Sequence, residues 1–148
     1  NLRIAAQILE SRRRAFLSTR KSARALAKVD EMLERFGLRS KADELAGSLS
    51  HGEQRRLEIA VCLASEPKVL LLDEPTQGMS QGDTEETKEL IRSLADSVTT
   101  LLTEHDVGLV MSISDYIVVM HQGRKLAAGD PQSVRANPAV QAAYFGHA

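Results

Sequence analysis

The stretch Val69-Leu70-Leu71-Leu72-Asp73-Glu74-Pro75 decides the fold class of this 148-residue chain. Four consecutive aliphatic residues are typical of a parallel strand that is covered on both faces, and Asp73, Glu74 and Pro75 end the run. Nucleotide hydrolases place such a carboxylate pair beside the phosphates, where one carboxylate holds Mg²⁺ and the other orients the attacking water. Taken alone the pattern is weak evidence for a nucleotide hydrolase, because many α/β strands end in acidic loop residues.

Helices and a second strand are predicted on either side of this strand. A helical pattern begins at Ser50 and ends before Pro67, because the residue preceding a proline disfavours helix. Residues 81–95 are predicted to be helical with acidic residues in the first turn, and residues 98–103 form a β-branched strand. The succession of strand, helix and strand implies a right-handed parallel crossover, and therefore an α/β fold.

The remaining predicted elements are helices and one hairpin. Caps, stops and turn residues place these elements. They are two helices in residues 1–36 with a stop at Gly37, a short helix near Asp106, a hairpin of residues 116–121 and 124–128 around Gln122-Gly123, a helix capped by Asp130 and started by Pro131, and a last turn from Pro138 to Gly146.

A small polar loop, Leu49-Ser50-His51-Gly52-Glu53-Gln54, leads into the helix upstream of the strand. A helix N-terminus with exposed N–H groups, a serine hydroxyl and a glycine that admits a close approach makes a ready phosphate site. On its own the loop would be better explained as an ordinary serine N-cap. Its order and distance relative to Asp73 favour the phosphate site instead.

With Thr103-Glu104-His105-Asp106, these motifs resemble those of the ABC-transporter ATPase family, and the likeness covers essentially the whole chain. That family has a signature motif, usually Leu-Ser-Gly-Gly-Gln, a Walker B strand ending Asp-Glu, and a switch-loop histidine. By resemblance, Glu74 and His105 would be catalytic, Glu74 acting on water and His105 contacting the γ-phosphate. Asp73 would support Mg²⁺ through water. Four residues would contact the ATP of the partner subunit as the signature loop: Ser50, His51, Gly52 and Glu53.

Several positions depart from the family pattern. His51 replaces the first glycine of the signature motif and Glu53 replaces its glutamine, but the Ser50 and Gly52 groups remain. Ser80 stands where many members have an aspartate that communicates between subunits. The pair Gly78-Met79 and the ending Ala143-Tyr144-Phe145-Gly146 resemble the branch that serves branched-chain amino acid and urea uptake.

The largest departure is that the sequence contains no Gly-x-x-x-x-Gly-Lys-Ser/Thr loop, which cradles the β- and γ-phosphates in P-loop ATPases. By resemblance, that loop and the first strands of the domain would precede Asn1, and without those strands we expect an exposed sheet face and edge that favour association. Residues 1–47 would then be part of the helical subdomain, and residues 48–148 the C-terminal half of a RecA-like ATPase core with flanking helices. We expect a chain limited to these residues to be inactive.

The function implied by the resemblance is ATP hydrolysis coupled to the import of a branched-chain type amino acid or a similar small polar metabolite. Its cofactors would be ATP and Mg²⁺. Its partners would be a second ATPase subunit, in a homo- or heterodimer, and transmembrane permease subunits. The protein would be cytoplasmic and peripheral on the inner face of the plasma membrane. The alternative is a non-enzymatic, truncated interaction or self-association module, and a soluble ABC ATPase without a transport role is less favoured.

Composition narrows the remaining function classes. A formal net charge of −1 gives no basic excess to attract nucleic acid. No apolar run approaches the roughly 18 residues that span a bilayer. The four histidines show no metal-ligand spacing, which argues against a zinc site. The single cysteine, Cys62, is interpreted as a small core residue of a protein in a reducing compartment.

Overall fold

The computed structural model of this chain describes residues 2–6 and 23–145. The chain divides into two compact units with the boundary between Thr103 and Glu104. The boundary expected at residue 47, between the helical subdomain and the ATPase core, is a separate one, and it stays a prediction.

The first unit combines helices with a pair of parallel strands. Its described elements are α1 (Leu2–Ala6), α2 (Ala23–Arg35), two 3-10 turns (Arg39–Lys41 and Ala46–Ser48), α3 (His51–Leu63), β1 (Val69–Asp73), α4 (Gln81–Leu94) and β2 (Thr99–Thr103). The predicted strand–helix–strand succession is confirmed to within about two residues. Of the two helices predicted in residues 1–36, the part over residues 7–22 lies outside the described residues.

Strands β1 and β2 pair in parallel, from Val69 opposite Thr99 to Asp73 opposite Thr103. Successive side chains of a strand point to opposite faces. Leu70 and Leu72 are buried, whereas Val69 and Leu71 are 54% and 69% exposed. The structure therefore buries one face of the two-stranded sheet and exposes the other. The cover on both faces that the aliphatic run alone indicates is absent, and the exposed face expected without the first strands is present.

The core of the first unit lies where its helices meet. Helix α1 packs on α2 and α3, and α3 packs on α4. Helix α2 ends as predicted, because Gly37 adopts a φ of 65° and the Leu38 N–H then donates to the Leu33 carbonyl at 2.8 Å. The largest fully buried apolar side chains of this unit are Met32, Phe36, Leu38, Ile59 and Leu94.

The second unit contains the predicted hairpin and short helices. Its described elements are α5 (Val107–Ile113), β3 (Ile117–His121), β4 (Arg124–Gly129), α6 (Pro131–Ala136), α7 (Pro138–Val140) and a π-helical turn (Gln141–Phe145). Strands β3 and β4 are antiparallel, and Gln122 and Gly123 between them have φ values of 49° and 72°, the left-handed pair that a type I′ hairpin turn requires. The predicted end of the last turn at Gly146 lies outside the described residues.

Helix α6 and the hairpin enclose a small apolar core. Ile117, Val134 and Val140 are buried there. The Asp130 side chain caps α6 by accepting from the Ser133 N–H at 3.0 Å, and Pro131 occupies the first helical position. Hydrogen bonds from Ser133 lower the pKa of Asp130, and the bond from its hydroxyl has a larger effect than the bond from its N–H.

The exposure of Cys62 differs from the sequence expectation. Cys62 is exposed, so its interpretation as a core residue is wrong. The buried stripe of α3 runs through Ile59, Ala60 and Leu63, and Cys62 is turned about 100° away from Leu63 around the helix.

In the described part of the chain, no helix combines the length and the apolar character needed to cross a membrane.

Candidate functional site

The polar loop before α3 is shaped by a reciprocal pair of hydrogen bonds. The Ser50 hydroxyl accepts from the Glu53 N–H at 3.2 Å, and the Glu53 carboxylate accepts from the Ser50 N–H at 2.8 Å. The Ser50 N–H also lowers the pKa of Glu53. The Ser50 hydroxyl contributes to the same lowering of the Glu53 pKa, after the Ser50 N–H.

The first residues of α3 pack against the chain that follows β1. His51 Nε2 lies 3.2 Å from the Gln77 carbonyl oxygen. Gly52 is buried, and a methyl group in place of its hydrogen would lie 2.4 Å from Oδ1 of Asp83, in the first turn of α4. The polar loop and the segment after the Asp-Glu pair therefore form one continuous surface of the first unit.

The acidic pair sits at the carboxyl end of β1. The Asp73 carboxylate accepts from the Thr103 hydroxyl of β2, and the Glu74 N–H donates to the Thr103 carbonyl at 2.9 Å. Asp73 is exposed and Glu74 is half-buried. Glu74 has a φ of 43°, in the left-handed region that non-glycine residues rarely adopt.

The donor set at this strand end fits Mg²⁺ held through water. Mg²⁺ keeps several of its waters and is usually bound by one or two carboxylates together with substrate phosphates. Asp73 offers one exposed carboxylate, and no group of three or more His, Cys, Asp or Glu side chains gathers as a metal site in residues 2–6 and 23–145. Asp73 is thus the residue that could hold such a cation, together with a phosphate ligand.

Arg55 also belongs to this surface, and its role was not predicted from the sequence. Arg55, in the second turn of α3, donates to the Glu74 carbonyl at 3.0 Å and to the Pro75 carbonyl at 3.2 Å. It also pairs with Glu58 at 2.8 Å. The spacing to Glu58 is a visible helical signal, but the backbone partners lie 19 and 20 residues away, and no sequence pattern connects them.

His105 belongs to the second unit, just before α5. Its side chain is 72% exposed, and Nδ1 lies 3.8 Å from the Glu104 carboxylate. The His105 N–H donates to the same carboxylate at 3.2 Å. The structure thus links α3, the helix that begins after Ser50, to Glu74 through Arg55, whereas the predicted contact of His105 with a γ-phosphate stays a prediction.

Comparison with known families agrees with the motifs. Residues 2–77 match the ABC transporter family, and residues 124–148 match the family of the branched-chain amino acid ATP-binding cassette transporter. Similar proteins include the high-affinity branched-chain amino acid transport ATP-binding proteins BraF of Pseudomonas aeruginosa and LivG of Escherichia coli. Each is 47% identical over 131 residues, which are 87% of this chain and 51% of the relative. The chain therefore spans about half the length of these curated relatives.

Solved structures give the same answer for the fold. The ATP-binding cassette MJ1267 of an ABC transporter superposes with a TM-score of 0.77 at 26% identity, over 97% of this chain and 61% of that one. The protein cbiO1 of Clostridium perfringens, part of the ABC transporter complex cbiONQ, gives 0.75 at 29% identity, over 95% and 54%. The predicted α/β fold, the C-terminal part of a RecA-like core with part of the helical subdomain, is confirmed. The chain belongs to the ABC transporter family, as part of its ATP-binding subunit.

Proposed function

We propose that this chain forms the signature-loop and Walker B part of an ATPase that powers import of branched-chain amino acids. One observation carries the proposal: Glu74 is held at the carboxyl end of β1, in left-handed backbone, by the helix that begins with the signature loop. The transport substrate follows the printed names of BraF and LivG. Since other members of the family carry other cargo, as the lipopolysaccharide export protein LptB shows, the substrate is the finer part of the proposal.

The residues divide the work of phosphoryl transfer between positioning and charge stabilisation. Glu74 would orient and polarise the attacking water, and His105 would contact the γ-phosphate. The N–H groups at the start of α3 and the Ser50 hydroxyl would bind phosphate oxygens, because a helix N-terminus favours an anion. Asp73 would hold Mg²⁺ through water, and the cation would neutralise the charge of the phosphates.

The proposed assembly has two ATPase subunits. The sequence contains no Gly-x-x-x-x-Gly-Lys-Ser/Thr loop, so the N–H cradle for the β- and γ-phosphates has to come from outside these 148 residues. In the family, the signature loop of one subunit meets the nucleotide held by the other. We therefore propose a homo- or heterodimer of ATPase subunits attached to transmembrane permease subunits, on the cytoplasmic face of the membrane.

Phosphate release from Mg·ATP tests this proposal. The protein to assay is an extended form that includes a phosphate loop, reconstituted with permease subunits. Replacing a general base typically costs 10²–10⁴-fold, so Glu74→Gln should lower kcat by about 100-fold or more. Glu89→Gln makes the same change at an exposed position of α4 and should leave kcat unchanged. Equal activity of the Glu74→Gln variant and the wild type would refute the proposed role of Glu74.

A non-enzymatic interaction or self-association module is the second candidate, and the open face of the β1–β2 sheet favours it. Val69, Leu71 and Leu101 are 54%, 69% and 62% exposed on this sheet, and large exposed apolar patches mark association sites. Sedimentation of the 148-residue chain distinguishes the candidates. Concentration-dependent oligomers that Leu71→Ser abolishes, together with no ATPase activity in the extended form, would favour the module.

A further inference from the structure

Glu74 has a backbone conformation that requires support. A non-glycine residue in the left-handed region costs roughly 1–3 kcal/mol and persists only where the surroundings hold it there. On the amino side, the Glu74 N–H is held by the Thr103 carbonyl at 2.9 Å. On the carboxyl side, Pro75 has no N–H to donate. The backbone there can be fixed only by hydrogen bonds that the Glu74 and Pro75 carbonyl groups accept.

Arg55 supplies that hold with two nitrogens of one guanidinium. Its terminal nitrogen donates to the Glu74 carbonyl at 3.0 Å and its Nε donates to the Pro75 carbonyl at 3.2 Å. The Gln77 N–H adds one bond to the Glu74 carbonyl, at 3.2 Å. The remaining terminal nitrogen of Arg55 donates to the Glu58 carboxylate at 2.8 Å. This contact orients the planar guanidinium group toward the two carbonyls.

The direction of the Glu74 carboxylate depends on this support. The Cα–Cβ bond is fixed to the backbone, so a relaxation of φ from 43° to the common negative region would swing the side chain away. Catalysis is sensitive to such a change, because a misplacement of about 1 Å costs on the order of 10²-fold in rate. An arginine that holds two carbonyls can therefore act on the reaction without touching the nucleotide.

We infer that Arg55 is a positioning residue for Glu74, and that it fixes the general base from the helix that carries the signature loop. The inference rests on the proposed function, because it assumes that Glu74 acts on the attacking water. It goes beyond the motif residues, since Arg55 belongs to none of the phosphate, metal or water contacts assigned above. Its distinguishing feature is that Arg55 acts only through Glu74.

The experiment compares two conservative arginine-to-lysine changes in the extended, reconstituted protein. Arg55→Lys keeps the charge, but one ammonium group does not reproduce a planar fork on two carbonyls. Arg35→Lys is the matched control, because Arg35 also donates to a distant carbonyl, that of Ser93, at 3.2 Å, and lies on α2. Arg55→Lys should lower kcat by about 10- to 100-fold with a change in the KM for ATP below about threefold. Arg35→Lys should change neither.

A double variant separates positioning from general damage. If Arg55 acts through Glu74, Arg55→Lys should cost nothing further in a Glu74→Gln background, because the base is already absent. Multiplying losses in the double variant, or equal kcat values for Arg55→Lys and Arg35→Lys, would overturn the inference. An inactive wild type, or one unaffected by Glu74→Gln, refutes the proposed function instead.

Thermal unfolding of every variant shows whether a lower kcat results from loss of the folded state. If Arg55→Lys is unfolded at the assay temperature, Glu58→Gln takes its place, since it frees the fork without removing the arginine. The inference then requires a lower kcat for Glu58→Gln that disappears in the Glu74→Gln background. An unchanged kcat for Glu58→Gln would overturn it.

Discussion

Replacing Gly52 by alanine should destabilise the first unit, although alanine is the better helix former. In open space the change would stabilise a helix by up to about 1 kcal/mol. Here the added methyl group would lie 2.4 Å from Oδ1 and 2.7 Å from Cγ of Asp83. Asp83 is held in place, because its Oδ2 accepts from the Ser80 hydroxyl at 2.6 Å and its N–H donates to the Ser80 oxygen at 3.2 Å. Overpacking typically costs about 1–3 kcal/mol, so we expect a net loss of roughly 1–2 kcal/mol.

Urea unfolding of matched variants measures this loss. Gly82 occupies the same position in α4 as Gly52 does in α3, and a methyl group there would come no closer than 4.0 Å to the Ser80 hydroxyl oxygen. Gly82→Ala should therefore be at least as stable as the wild type. In an Asp83→Ala background, where the clashing carboxylate is gone, the cost of Gly52→Ala should fall to a few tenths of a kcal/mol. Equal unfolding free energies for Gly52→Ala and Gly82→Ala would refute the close packing of α3 on α4.

Two further predictions concern a titrating cap and a turn. The Ser50 N–H lowers the pKa of Glu53 below its ordinary value of 4.5, so the stabilisation is present above that value and is lost as the pH falls through the folded pKa. The unfolding free energy of the wild type should thus fall more steeply below pH 4.5 than that of Glu53→Gln, and parallel curves would contradict this. Gly123 has a φ of 72° with open space around it, so Gly123→Ala should cost about 1–2 kcal/mol of unfolding free energy from backbone strain alone. Gly47→Ala, also in open space but without a positive φ, is the control and should be close to neutral.

Features that depend on neighbours along the chain were predictable. The Asp130 cap, the proline after it and the Gln122-Gly123 turn all appear where the sequence places them, because caps and hairpin turns are made by residues one to three positions apart. The aliphatic run of β1 was equally visible. Its face coverage was not, because a run of four aliphatic residues does not state which other segments pack on each side.

Features that depend on tertiary packing were out of reach of sequence patterns. The contact of His51 with Gln77 and the hold of Arg55 on the Glu74 carbonyl join residues separated by a strand and a loop. The error on Cys62 has the same origin, because a helical apolar pattern locates a buried stripe only to within about one residue, or 100° of rotation. The candidate site residues are predictions from motifs, whereas the contacts between α3 and the end of β1 are visible only in the folded chain.

Gly52 and Glu74 differ in what folding alone can explain. Gly52 must be a glycine for packing, since any side chain there meets Asp83, so its presence does not by itself indicate a phosphate ligand. Glu74 is the opposite case. At a φ of 43°, glycine or asparagine would satisfy the backbone at lower cost than glutamate, whose strain is on the order of 1–3 kcal/mol. The same backbone conformation occurs at Glu66 and Gln122, with φ values of 52° and 49°, so what distinguishes Glu74 is its place at the end of β1 and its contact with Arg55. The case for nucleotide hydrolysis therefore rests on Glu74 and on the arginine that holds it, more than on the glycine of the signature loop.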